Sequence, residues 1–176
     1  MSDIYGKVTS DQDFIRKILS KIPGFKGYIE RSNRRASDKL LREYIADQFH
    51  LLEQRVSSLQ TDLISQGNLD LVDDLEKSAI KLRQFTDRIR RATYGYGSLF
   101  EAVKVNEEEL AKIYQYDLAM LDMTDEIQRA IDNVETSIGT EGLPAAVRHL
   151  ISLSQQMVDT FNQRSSIIMM ENDQAE

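Results

Sequence analysis

Two histidines are the side chains in this 176-residue chain best suited to holding a metal or moving a proton at neutral pH, and their spacing decides how far that chemistry can go. A carboxylate-bridged di-metal centre, the chemistry that four-helix bundles most often host, needs inward glutamates plus a Glu-x-x-His pair on each of two helices. His50 is preceded at that spacing by Asp47 and His149 by Ala146, so the pattern is altered once and missing once. No metal and no cofactor is expected. The chain has no cysteine, which removes thiol nucleophiles and disulfides together. No Gly-x-Ser-x-Gly elbow, Gly-x-x-x-x-Gly-Lys loop or Gly-x-Gly-x-x-Gly turn occurs, and Tyr94-Gly95-Tyr96-Gly97 is not a phosphate cradle. The expectation is a protein that is not an enzyme.

The elements that would position any functional side chain are helices. Two prolines and eight glycines fall between long stretches patterned at helical period. Ser10 with Asp13 marks a short first helix whose one face carries Phe14, Ile15, Ile18, Leu19 and Ile22, and Pro23-Gly24 ends it. A long helix follows from about Glu30 to Gln66 on the stripe Leu41, Ile45, Phe49, Leu52, Val56, Leu59 and Leu63, stopped by Gly67. Asn68 is placed to cap the next helix, with Val72, Leu75, Ala79, Leu82, Phe85 and Ile89 on its stripe. Asn106 with Glu109 opens another, through Leu110, Ile113, Met120, Ile127, Ile131, Val134 and Ile138 to Gly139 and Gly142. Pro144 suits the first turn of the last, with Val147, Leu150, Leu153, Met157, Phe161 and Ile168.

The fold class is all-α. Short links make successive helices antiparallel, which predicts an up-down-up-down four-helix bundle of long helices preceded by a short N-terminal amphipathic helix. The expected organisation is 1–29 for that helix and its Pro-Gly turn, 30–170 for the bundle, and 171–176 for a frayed acidic tail. A single extended coiled-coil hairpin is the rival geometry, since stripes spaced three and four apart also describe a two-stranded seam. With 41% hydrophobic and 29% charged residues, no disulfides and no apolar run near the ~20 residues that span a bilayer, a soluble cytoplasmic protein is expected.

The segments Ile22-Pro23-Gly24-Phe25-Lys26-Gly27-Tyr28, Tyr94-Gly95-Tyr96-Gly97 and Lys104-Val105-Asn106-Glu107-Glu108-Glu109-Leu110 resemble those of an uncharacterised family of all-helical bacterial proteins. The resemblance covers most of the chain. It implies a helical fold in a bacterial protein and carries no activity, because its motifs are turn and cap residues.

Asp117 interrupts the stripe Leu110, Ile113, Met120 where an apolar residue belongs. It is either a boundary residue or a buried carboxylate, and if buried it must pair, since an isolated buried charge is prohibitively costly.

Charge placement is the strongest remaining signal in a chain of net charge −7. Residues 14–42 hold nine Lys or Arg against two acidic residues, and residues 77–91 hold six against one; residues 92–176 hold five basic against fifteen acidic. Folding back about Gly67-Asn68 sets position 42 opposite about position 93, so Lys26, Arg31, Arg34, Arg35, Arg42, Arg88, Arg90 and Arg91 gather at one end, where Tyr28, Tyr44, Tyr94 and Tyr96 also lie. Two readings of this pole stand side by side. It is a patch for an anionic partner, or it is neutralised internally, with Glu107, Glu108 and Glu109 as partners that also suit their own helix N-terminus.

The function expected is therefore non-enzymatic: a helical interaction or assembly protein whose basic pole and apolar helix faces bind a protein partner or a second copy. A peripheral membrane protein, attached to the inner face of the membrane, is the alternative, with Phe14, Ile15, Ile18, Leu19 and Ile22 as the inserted face and Arg16, Lys17 and Lys21 on the polar side. The same helix suits docking on the bundle, its basic stems lying over apolar surface. The run Ile167-Ile168-Met169-Met170 cannot all face one stripe and suits either a buried end or a partner. A metal-storage bundle ranks below both. Nucleic acid is the least favoured partner, since the net charge repels a polyanion and no stacking or groove-reading module is present.

Overall fold

The computed structural model describes residues 16–17, 19–22, 24, 34–91 and 107–174. Four long helices account for most of them: α1 (Arg34–Ser65), α2 (Val72–Arg91), α3 (Glu107–Ser137) and α4 (Leu143–Gln174). The all-α helical bundle is thus the architecture of the chain. α4 stays helical to Gln174, past the end at 170 read from the sequence.

The turn between α1 and α2 is built by backbone chemistry. Gly67 takes φ +79°, a conformation that costs an L side chain roughly 1–2 kcal/mol. Its N–H donates to the Ile64 carbonyl at 3.1 Å while the Asn68 N–H donates to the Leu63 carbonyl at 2.9 Å, so two end carbonyls of α1 are satisfied. Asn68 does not act as the side-chain cap expected of it. A 3-10 turn, Leu69–Leu71, leads into α2 instead. At the other tip Gly139 turns at φ +81°, and Pro144 falls in the first turn of α4, where no backbone donor is needed.

α1 and α2 form one antiparallel hairpin, and α3 and α4 a second. The packed pairs between hairpins are α2 with α4 and α1 with α3. Both run parallel: Lys81 meets Gln155 and Arg88 meets Asn162, each 74 residues on. Directions alternate along the chain as expected, but the order around the bundle is α1, α2, α4, α3. Two hairpins therefore lie side by side with their tips at one end, and the extended two-stranded seam is not formed.

The core fills the space between them. Phe49, Phe85 and Phe161 form an edge-to-face chain with centroid separations of 4.6 and 5.5 Å, tying α1, α2 and α4 together. Below it the stripe residues Val56, Leu63, Leu75, Leu82, Ile127, Val134, Val147 and Leu150 are all buried. Each such side chain contributes about 1.5–3 kcal/mol by leaving water.

Candidate functional site

Three buried charged side chains, Asp117, Arg164 and Arg42, lie toward the end of the bundle away from the hairpin tips. Asp117 is 2% exposed and accepts a hydrogen bond from Nε of Arg164 at 2.7 Å. Both side chains are 3% exposed, so of the two readings of Asp117 the buried pair is the one realised, across α3 and α4. Close geometry is what offsets the loss of hydration here. The helix register brings Arg42 of α1 to the same level. It too is buried, at 7%, and its Nη1 donates a long 3.5 Å hydrogen bond to the Ile89 carbonyl in the last turn of α2. A cation suits that negative end of the helix dipole. As a member of a surface patch Arg42 must be set aside, because its α1 position faces the seam with α2 and not solvent.

At this end the described exposed cations include Arg88, Arg90 and Arg91, in the last turn of α2, and Lys39 near the start of α1, which lies 3.6 Å from Glu43. Arg88 lies 4.8 Å from the centre of the Phe161 ring and donates to Oδ1 of Asn162 at 2.8 Å. Arg90 donates to Oδ1 of Asp47 at 2.7 Å. The fold-back sets the start of α1 beside the end of α2, and it also supplies contacts within the chain. Such exposed pairs are worth about 0–1 kcal/mol each and leave the cations reachable from solvent. Arg34 and Arg35 open α1, and Glu107 and its two neighbours open α3; their side chains, like Lys26, Arg31, Tyr28, Tyr94 and Tyr96, lie outside the described residues. Tyr44 is half-buried against the core.

The N-terminal helical segment packs on α3. Ile22 is buried and Leu19 lies against the core, so the two described members of the proposed membrane face point into the bundle. Phe14, Ile15 and Ile18 lie outside the described residues. The polar side is clamped by charge: Lys17 Nζ lies 3.0 Å from Asp122, and Lys21 Nζ lies 2.7 Å from Asp125 and 3.4 Å from Asp122. Lys21 also donates to the Leu121 carbonyl at 3.3 Å. Burial is the largest single influence on the Lys21 ammonium and works to lower its pKa, yet the bonds and charges of Asp125 and Asp122 together outweigh it and raise the pKa.

Among the described residues no group of three or more His, Cys, Asp or Glu side chains could hold a metal ion. His50 and His149 are both exposed, and the His50 ring contacts Gln54 at 3.2 Å. An open groove of about 680 Å³ runs between α2 and α4, lined by Lys77, Ile80, Lys81, Ile151 and Gln155 among others. No described helix is long and apolar enough to cross a membrane.

Sequence reasoning missed the partners that depend on register. Arg164, Glu53 (buried, with Arg83 Nη2 at 2.6 Å) and Arg55 (2.8 Å from Asp132 and 3.0 Å from Glu135) each sit beside a stripe and show no signal until the helices are aligned. No family model matches the chain, and no curated protein or solved structure matches it.

Proposed function

We propose that the chain is a non-enzymatic helical interaction protein that works by contact, recognising an anionic partner surface at its basic end. What supports this reading is the meeting of the start of α1 with the last turn of α2, where Lys39, Arg88, Arg90 and Arg91 are exposed around a closed core. The core below is filled with apolar side chains, so recognition falls to the surface. Peripheral membrane attachment is the weaker reading. Leu19 and Ile22 would have to leave the bundle to insert, and Lys17 and Lys21 to exchange Asp122 and Asp125 for lipid phosphates.

Light scattering on the purified chain, with and without phosphatidylserine vesicles, separates these outcomes. A protein complex or self-assembly weakened by Arg90→Glu with Arg91→Glu, and indifferent to vesicles, is the expected result. A chain that binds neither itself, nor a protein partner, nor vesicles would contradict a contact role.

A further inference from the structure

α2 carries a second stripe on the side away from the core. Asp73, Lys77, Ile80, Gln84, Asp87 and Arg91 recur at spacings of four, three, four, three and four, and all six are exposed. Such spacings set them in one row along the helix. Read from its other end, the row keeps its spacing and inverts its charge. Asp73 and Arg91 lie equally far from residue 82, as do Lys77 and Asp87, and each couple joins an acid to a base. Ile80 stands in the middle, 39% exposed, and with Ile151 it lines the open groove of about 680 Å³ between α2 and α4. Cations beside the row have partners off it: Arg83 on buried Glu53, Arg90 on Asp47 and Lys81 on Gln155. Lys77 lies against Asp74 in an ion pair open to solvent, which a lysine exchanges at little cost.

We propose that this row is the seam of a twofold dimer in which α2 packs antiparallel on α2 of a second copy. Antiparallel pairing about residue 82 sets Asp73 against Arg91, Lys77 against Asp87 and Ile80 against Gln84 across the seam, and symmetry makes each contact twice. Parallel pairing sets acid against acid and base against base, so charge selects the direction. The same twofold lays the α2–α4 groove on its own equivalent. There the α4 side chains Ser152, Gln155 and Gln156 are uncharged, and Ile80 and Ile151 leave water. The contact uses the same patch on both copies and closes, so assembly stops at two. Its ion pairs are individually weak, so the dimer loosens as salt shortens the Debye length from about 30 Å at 0.01 M to about 8 Å at 0.15 M.

The seam shares Arg91 with the basic end and goes beyond it along α2, so it is tested on the purified chain alone. Sedimentation velocity in dilute buffer is expected to show the 20.2 kDa chain in equilibrium with twice that mass as concentration rises, and to lose the dimer in high salt. Asp73→Arg or Arg91→Asp alone sets like charges together twice, and each is expected to be monomeric with unchanged helical circular dichroism. Both substitutions in one chain restore opposite pairing and are expected to restore the dimer. Gln84→Leu gives Ile80 an apolar neighbour across the seam and is expected to tighten dimerisation about tenfold. A wild-type chain that stays at 20.2 kDa throughout, a mass that climbs past the dimer, single variants that dimerise as the wild type does, or a double variant that stays monomeric overturns the inference. A monomeric chain that still binds an anionic protein through Arg88 and Arg90 leaves the contact role standing while this inference falls.

Discussion

Among the described ion pairs Asp117 and Arg164 are the one with both side chains buried, and a charge left in the core without its partner is penalised far more than a surface ion. Asp117→Asn or Arg164→Met alone is expected to cost about 3–5 kcal/mol in urea denaturation, whereas Asp117→Leu combined with Arg164→Met recovers most of the loss. Single-variant costs under about 1 kcal/mol would mean that the pair is hydrated in solution. Half of this arrangement is legible in the sequence: a carboxylate at position 117 breaks a stripe of apolar residues, and a buried carboxylate needs a cation. Its partner is not legible, because Arg164 lies three residues from Phe161 on a helix whose stripe looks complete without it. Alignment of α3 with α4 is the missing information. Arg42 errs in the other direction, since a basic run along a helix does not declare which of its members faces a neighbour.

Helix boundaries are the part of the structure most readily read from the residues. Gly67 and Gly139 stop helices where positive φ is needed, and the stripes between them become the core. Gly67→Ala is expected to cost about 1–2 kcal/mol through αL strain alone, since nothing lies within 4 Å of the added methyl group. Thermal denaturation reads this directly; an unchanged midpoint would show that the turn re-forms differently. The N-terminal segment is a second element with its own test. In the folded chain Lys21 holds its proton more tightly than a free lysine. The stability it adds is therefore fully present below the ordinary value of 10.5 and is lost as pH climbs through the raised one. A Lys21→Gln variant should be less stable than wild type at pH 8, and the gap should close above pH 10.5. A gap that persists unchanged at high pH would remove Asp122 and Asp125 as its source. The amphipathic face of this segment is visible in the sequence. That it is spent on α3 is decided by acidic residues 104 and 105 positions away, which no local pattern announces.

At the scale of the whole molecule, short links dictate that hairpin partners are antiparallel but not how two hairpins stack. The stretch 92–106 joins α2 to α3 with 15 residues, enough to reach about 50 Å, so it permits either neighbour. What selects the order α1, α2, α4, α3 is side-chain fit between hairpins: Phe85 with Phe161, Arg88 with Asn162, and Arg55 with Asp132. The basic end itself comes from the α1–α2 fold-back, and parallel stacking adds Phe161 and Asn162 of α4 beside Arg88 and sets both hairpin turns at the opposite end. Spin labels test it cleanly in a chain without native cysteines. With cysteines at 88 and 162 the labels should lie about one helix spacing apart, near 10 Å between axes, while labels at 88 and 148 should be separated by about 20 Å along the bundle as well. If the 88–148 pair proves the closer one, the hairpins stack the other way round, Arg88 does not meet Phe161 and Asn162, and the basic end on which the contact role rests is not built as described.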